Sequence, residues 1–145
     1  MESTTHPAIR VFVDSSVLFA AALSAKGSAR DLIVRSLGGD FTLYVSSLVL
    51  EEVKRNLSHK APSALPAFEL FRTLLTNIVD PDKPLVLRVA EVVEAKDAPI
   101  VAAAIVAEVD YLASYDQKHL LRQKDQILSS FGVKVVVPDE VLSAR

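Results

Sequence analysis

Short apolar runs alternate along this chain with longer segments whose apolar residues recur at helical spacing. In Ile9-Arg10-Val11-Phe12-Val13 the last three residues leave no polar alternation, which is how a strand buried on both faces reads. Phe41 to Val45, Tyr111-Leu112-Ala113 and Val133 to Val137 repeat that character, and Asn77-Ile78-Val79 reads as one more short strand. Between them the pattern predicts helices. One follows Ser15-Ser16 through Leu23 and ends near Gly27, and a second, amphipathic one spans Ser28 to Leu37 with Gly38-Gly39 as its stop. Ser47 is expected to cap a third, whose Val49, Leu50, Val53 and Leu57 follow helical spacing. Further helices are expected over Pro66 to Thr76, Leu85 to Val93, Ile100 to Val109 and from Leu120 onward. Lys60 to Pro66 and Asp80 to Pro84 are expected to be irregular, and Pro138 to close the last strand.

Strands that alternate with helices pair in parallel through right-handed crossovers. The fold class expected is therefore α/β, a three-layer α/β/α sandwich with a mainly parallel central sheet. No repeat, low-complexity tract or linker divides the 145 residues, so a single domain over 1–145 is expected, with residues 1–8 a flexible N-terminal tail.

Composition narrows the chemistry. Half of the residues are apolar, yet no run of about 18 escapes charge, so no membrane span is expected. Met1 to Pro7 carries neither a basic nor an apolar leader region, and a cytoplasmic protein is expected. The absence of cysteine excludes disulfides, thiolate catalysis and thiolate-bound zinc. The formal net charge is −2, which on its face argues against a nucleic-acid partner. Were four acids gathered in one site, however, the remaining surface would be slightly basic, with local cations at Lys54, Arg55, His59 and Lys60 and at Lys118, His119, Arg122 and Lys124. Taken alone, such groups read as solvated helix faces.

Five acids stand out by context. Asp14 ends the first strand, Glu51 and Glu52 lie on the helix after the second, Asp97 opens a helix two residues before Pro99, and Asp116 follows the Tyr111–Ala113 strand. Singly, Asp14 and Asp97 read as N-caps, Asp116 as a turn residue and either glutamate as a solvent-facing helix residue. Collectively, a parallel sheet brings Asp14, Asp97 and Asp116 to its carboxyl edge, where such folds bind ligands. Carboxylates gathered without His or Cys suit a hard cation such as Mg²⁺ or Mn²⁺, which would also let like charges coexist ionised.

Four segments resemble, in order, spacing and hydrophobic context, the acidic blocks of PIN domains. They are Val11-Phe12-Val13-Asp14-Ser15-Ser16-Val17-Leu18, Ser46-Ser47-Leu48-Val49-Leu50-Glu51-Glu52-Val53, Lys96-Asp97-Ala98-Pro99-Ile100-Val101-Ala102-Ala103-Ala104 and Val109 to Leu120. PIN domains are nucleases that typically cut RNA with one or two divalent metals, and many are VapC-like toxins of toxin–antitoxin pairs. The resemblance implies Asp14, Glu52, Asp97 and Asp116 as catalytic residues and metal ligands, with Glu52 fitting the second block better than Glu51. It implies Mg²⁺ or Mn²⁺ as cofactor, an RNA substrate and a small protein antitoxin. Ser15, Lys54, Arg55, Lys118, His119 and Arg122 are the expected substrate contacts. The chain departs from the family at Ser15-Ser16, where Thr-Asn is common, and at Lys118, where many relatives carry a further acid. Ser15 is expected to orient Asp14, while Ser16 lacks the amide that would bond the neighbouring loop.

Two other readings differ in consequence. A PIN-like binding module whose chemistry has decayed draws on Ser16 and Lys118. An aspartyl-phosphate phosphatase also places an Asp after its first strand but needs a second Asp where this chain has Ser16. The apolar segments Val17 to Leu23 and Leu65 to Leu75 exceed what one core requires and predict a homodimer.

Overall fold

A computed structural model describes residues 6–145, so most of the expected N-terminal tail lies outside the described residues. The strands are β1 (Ile9–Val13), β2 (Phe41–Tyr44), β3 (Tyr111–Ala113) and β4 (Lys134–Val136). All pair in parallel in the order β2-β1-β3-β4. Val11, Phe12 and Val13 are fully buried, as a central strand covered on both faces requires. The layers above and below are built from α1 (Ser15–Leu23), α2 (Ser28–Ser36), α3 (Ser47–Lys60), α4 (Leu65–Leu74), α5 (Lys83–Val89), α6 (Ala98–Val106), α7 (Lys124–Phe131) and α8 (Pro138–Leu142). The three-layer α/β/α sandwich read from the sequence is the observed architecture.

Several boundaries move for local reasons. Ser46, not Ser47, caps α3: its hydroxyl accepts the Val49 N–H at 3.2 Å, while Ser47 bonds Asp80 through both its N–H and its hydroxyl. The strand expected over Asn77 to Val79 is reduced to one parallel bridge between Val45 and Ile78. Asp82 accepts the Leu85 N–H, which starts α5 at Lys83 rather than Leu85. The helix expected over Ile100 to Val109 begins at Ala98 and stops at Val106, because Glu108 turns into the left-handed region at φ 52° to deliver β3. Arg10 holds that turn, donating from its guanidinium to the Ala107 and Glu108 carbonyls and lying over the Tyr44 ring. Pro138, expected only to close the last strand, also opens α8. No helix among the described residues is long and apolar enough to cross a membrane.

The order of strands fixes where a ligand belongs. From β1 the chain moves outward to β2 on one side, then returns to place β3 on the other. The crossovers leave β1 in opposite directions, so a crevice opens at the carboxyl ends of β1 and β3.

Candidate functional site

That crevice is a cavity of about 460 Å³ whose wall includes Asp14, Glu52, Asp97 and Asp116. Asp14 leaves β1, Asp116 lies three residues beyond β3, Asp97 precedes α6, and Glu52 projects from α3. Glu51, its neighbour, is exposed, so the helix turns only one of the two glutamates inward.

Asp14 is 4 % exposed. Its Oδ1 accepts from the Ser16 hydroxyl at 2.6 Å and from the Val17 N–H at 3.1 Å, so it caps α1 while facing the cavity. Burial nevertheless pushes its pKa from 3.8 up to about 6; the hydroxyls of Ser114 and Ser16 and the Val17 N–H pull against that, and the Asp116 carboxylate adds to it. Ser16, not Ser15, does the orienting expected at this acid, and it bonds the neighbouring loop as well. Ser16 orients Asp14 and also accepts the Tyr115 N–H at 2.9 Å, which ties α1 to the segment after β3 without an amide side chain. Ser15 instead bonds Oε1 of Glu52.

Asp97 occupies the N-cap position of α6 but makes no side-chain capping bond. Its Oδ2 accepts from Nε2 of Gln123 at 2.9 Å. Burial raises its pKa, against the opposing effects of the Gln123 amide, Lys96 and His119. Asp116 accepts the His119 N–H through Oδ1 at 3.2 Å, and its own N–H donates to the Ser114 hydroxyl at 2.9 Å. Four carboxylates around one cavity, none bonded to a cationic side chain among the described residues, make an oxygen-only donor set that fits a hard divalent cation.

The expected substrate contacts divide. Ser15 lies on the cavity wall, but Lys54, Arg55, Lys118 and Arg122 do not. All four are exposed. His119 is half-buried and turned toward Glu94, with Nδ1 3.2 Å from Oε2. The cations that do line the cavity are Lys60 and Lys96. Lys60 had a sequence signal: Leu48, Glu52, Asn56 and Lys60 are four apart, hence one stripe of α3, and all line the cavity. Glu94 and Gln123 had none, because only the tertiary approach of the segment after β3 to the start of α6 gives them a role.

A strand-ending Asp, a helix-borne Glu and acids at α6 and after β3 thus lie around one cavity at one sheet edge. PAE2754 from Pyrobaculum aerophilum is similar in structure at 18 % identity, covering 94 % of each chain with a TM-score of 0.67. FitAcB from Neisseria gonorrhoeae is similar at 15 % identity, over 88 % of this chain and 97 % of that one, with a TM-score of 0.53. No curated protein matches the chain. The family model described as PIN domain matches residues 10–118, which take in all four of these acids, and the chain belongs to that family.

Proposed function

We propose that this protein is a divalent-metal-dependent ribonuclease and the toxin of a toxin–antitoxin pair. The observation that carries the reading is the single cavity walled by Asp14, Glu52, Asp97 and Asp116 in a PIN-domain chain. These four residues would hold Mg²⁺ or Mn²⁺, directly or through water. Bound there, the ion supplies Lewis-acid charge at the phosphate and lowers the pKa of a coordinated water.

The chain's own groups do the rest. Lys60 and Lys96 draw the phosphate backbone to the cavity mouth, replacing the more distant Lys54 and Arg55 in that role. Ser15 fixes one oxygen of Glu52, leaving Oε2 as the acceptor for the attacking water's proton. Ser16 fixes Asp14, so the residue that most favoured a decayed module is part of the acid's support. An antitoxin with a basic residue suits the same acidic cavity. Leu23, Leu70 and Leu74, exposed on the paired helices α1 and α4, support a homodimer.

Purified protein with Mn²⁺ or Mg²⁺ is expected to cut structured RNA. Asp14→Asn and Asp97→Asn are each expected to lower the rate by on the order of a hundredfold or more. Equal cleavage by the native chain and both variants would refute the assignment.

A further inference from the structure

Two of the cavity acids are held by unlike means. Asp14 is fixed by the start of its own helix, through the Val17 N–H. Asp97 stands at the same position before α6 but receives no capping bond, so its helix does not orient it. Among the described residues its carboxylate has one hydrogen-bond donor, Nε2 of Gln123, at 2.9 Å from Oδ2. A carboxylate with a single donor takes its orientation from that donor.

Gln123 ends a short 3₁₀ turn, Leu121–Gln123, and is itself 7 % exposed. It does not line the cavity, so it acts there only through another residue. Its Oε1 accepts the Glu94 N–H at 2.9 Å, and Nε2 also donates to the His119 carbonyl at 3.0 Å. An N–H only donates, and a carbonyl or an ionised carboxylate only accepts, so the carboxamide cannot turn over and Nε2 always faces Asp97. Each backbone partner leads to an acid. The Glu94 carbonyl accepts the Asp97 and Ala98 N–H groups at 2.9 and 3.1 Å, which anchors the turn that delivers Asp97. His119 donates its N–H to Asp116 Oδ1 at 3.2 Å, and the Asp116 carbonyl accepts from Leu121 at 3.0 Å. One buried carboxamide thus ties the backbone before Asp97 to the backbone after Asp116.

We propose that Gln123 is a positioning residue: it fixes the side chain of Asp97 so that Oδ1 faces the cavity, and it sets the spacing of Asp97 from Asp116. The inference rests on the ribonuclease reading for its effect on metal and RNA, but not for its effect on Asp97.

Two variants test it. Gln123→Met keeps the volume and removes all three bonds, whereas Gln123→Glu keeps the acceptor for Glu94 and sets an oxygen where Asp97 met a donor. In metal-free protein, three-bond couplings from the backbone to Cγ report the χ1 rotamer of each aspartate. Asp97 is expected to hold one rotamer in the native chain and to average among several in both variants, while Asp14 stays fixed in all three. With Mn²⁺, both variants are expected to need about ten to a hundred times more ion for half-saturation, and to cut RNA with a lower kcat at unchanged KM. A side chain that merely packs would lower the melting temperature and leave the Asp97 couplings and the Mn²⁺ affinity as they are. Asp97 keeping its rotamer in a folded variant, or averaging without loss of the native chain's Mn²⁺ affinity, overturns the proposal. Asp97 freed by these variants in a chain that binds no Mn²⁺ and cuts no RNA upholds the positioning and overturns the ribonuclease reading. If neither variant folds, Asp97→Asn is expected to shift the Nε2 proton resonances of Gln123, and unmoved resonances overturn the pairing.

Discussion

Asp14 receives three hydrogen-bond donors and still titrates near pH 6, because burial outweighs them all. Its value in the open chain is 3.8, so between that pH and about 6 the folded protein holds a proton that the unfolded chain has released. Stability contributed by this group therefore falls as pH rises through that window, and the loss is complete above about 6. It amounts to on the order of 3 kcal/mol. Asp14→Asn removes the penalty while keeping an acceptor for Ser16, so in chelator at pH 7 it is expected to melt several degrees higher than the native chain. Its stability should also vary less between pH 4 and 6. A lower melting temperature for the variant at every pH would show that burial does not govern this carboxyl. Asp14 was conspicuous in the sequence because a carboxylate is out of place beside Val11-Phe12-Val13. The pairing of Ser16 with Tyr115 was not, since it joins residues 99 apart.

At the scale of elements, the cap of α3 shows where pattern reading stops. Ser46 and Ser47 are adjacent hydroxyls, and apolar spacing alone does not distinguish them. Only Ser46 is buried, at 2 % exposure, and only its oxygen satisfies the Val49 N–H. Ser46→Ala is expected to destabilise the protein by about 1 kcal/mol. Ser47→Ala, whose partner Asp80 is exposed, is expected to stay within about half of that. Urea unfolding of the two variants measures the difference, and a larger loss for Ser47→Ala would return the cap to Ser47. The core strands were legible for the opposite reason: short apolar runs such as Val11-Phe12-Val13 and Tyr111-Leu112-Ala113, each followed by polar residues, read as buried strand. Helix ends were legible where a cap or a stop marked the read boundary, as at Asp14 before α1 and Gly38-Gly39 after α2, whereas the start of α5 at Asp82 was read as loop. The end of α6 was missed because Glu108 adopts a positive φ with no glycine to announce it.

For the molecule as a whole, the convergence of Asp14, Asp97 and Asp116 was readable because a parallel sheet carries strand ends and helix starts to one edge, whereas Glu52 was singled out only by the resemblance to PIN domains. The support of that edge was not readable, because Glu94 and Gln123 are joined by a contact 29 residues apart. The exposed apolar surface makes a separate statement. Leu70 is 58 % exposed and Leu74 41 %, one turn apart on α4, whereas Phe68 and Phe71 on the same helix enter the core. Leu70→Glu is expected to convert a dimer to monomers in analytical ultracentrifugation while leaving the melting of the monomer's core unchanged. A native chain that sediments as a monomer at micromolar concentration would exclude the dimer outright.

The register of the central strand also sets a clock. Val11 pairs with Leu43 on one side and with Tyr111 on the other, so half of the sheet closes locally and half waits for a partner 100 residues downstream. A ribosome making this protein releases β1, β2 and most of the helices long before β3. Until β3 arrives, Asp14 has no Ala113 carbonyl for its N–H, Ser16 has no Tyr115, and Asp116 has not been made. The carboxylate site therefore cannot be complete before residue 116 has been made, and a chain that stops earlier lacks one of its four acids. On the proposed ribonuclease reading, the protein would gain its full set of carboxylates only after the first 116 of its 145 residues had been made.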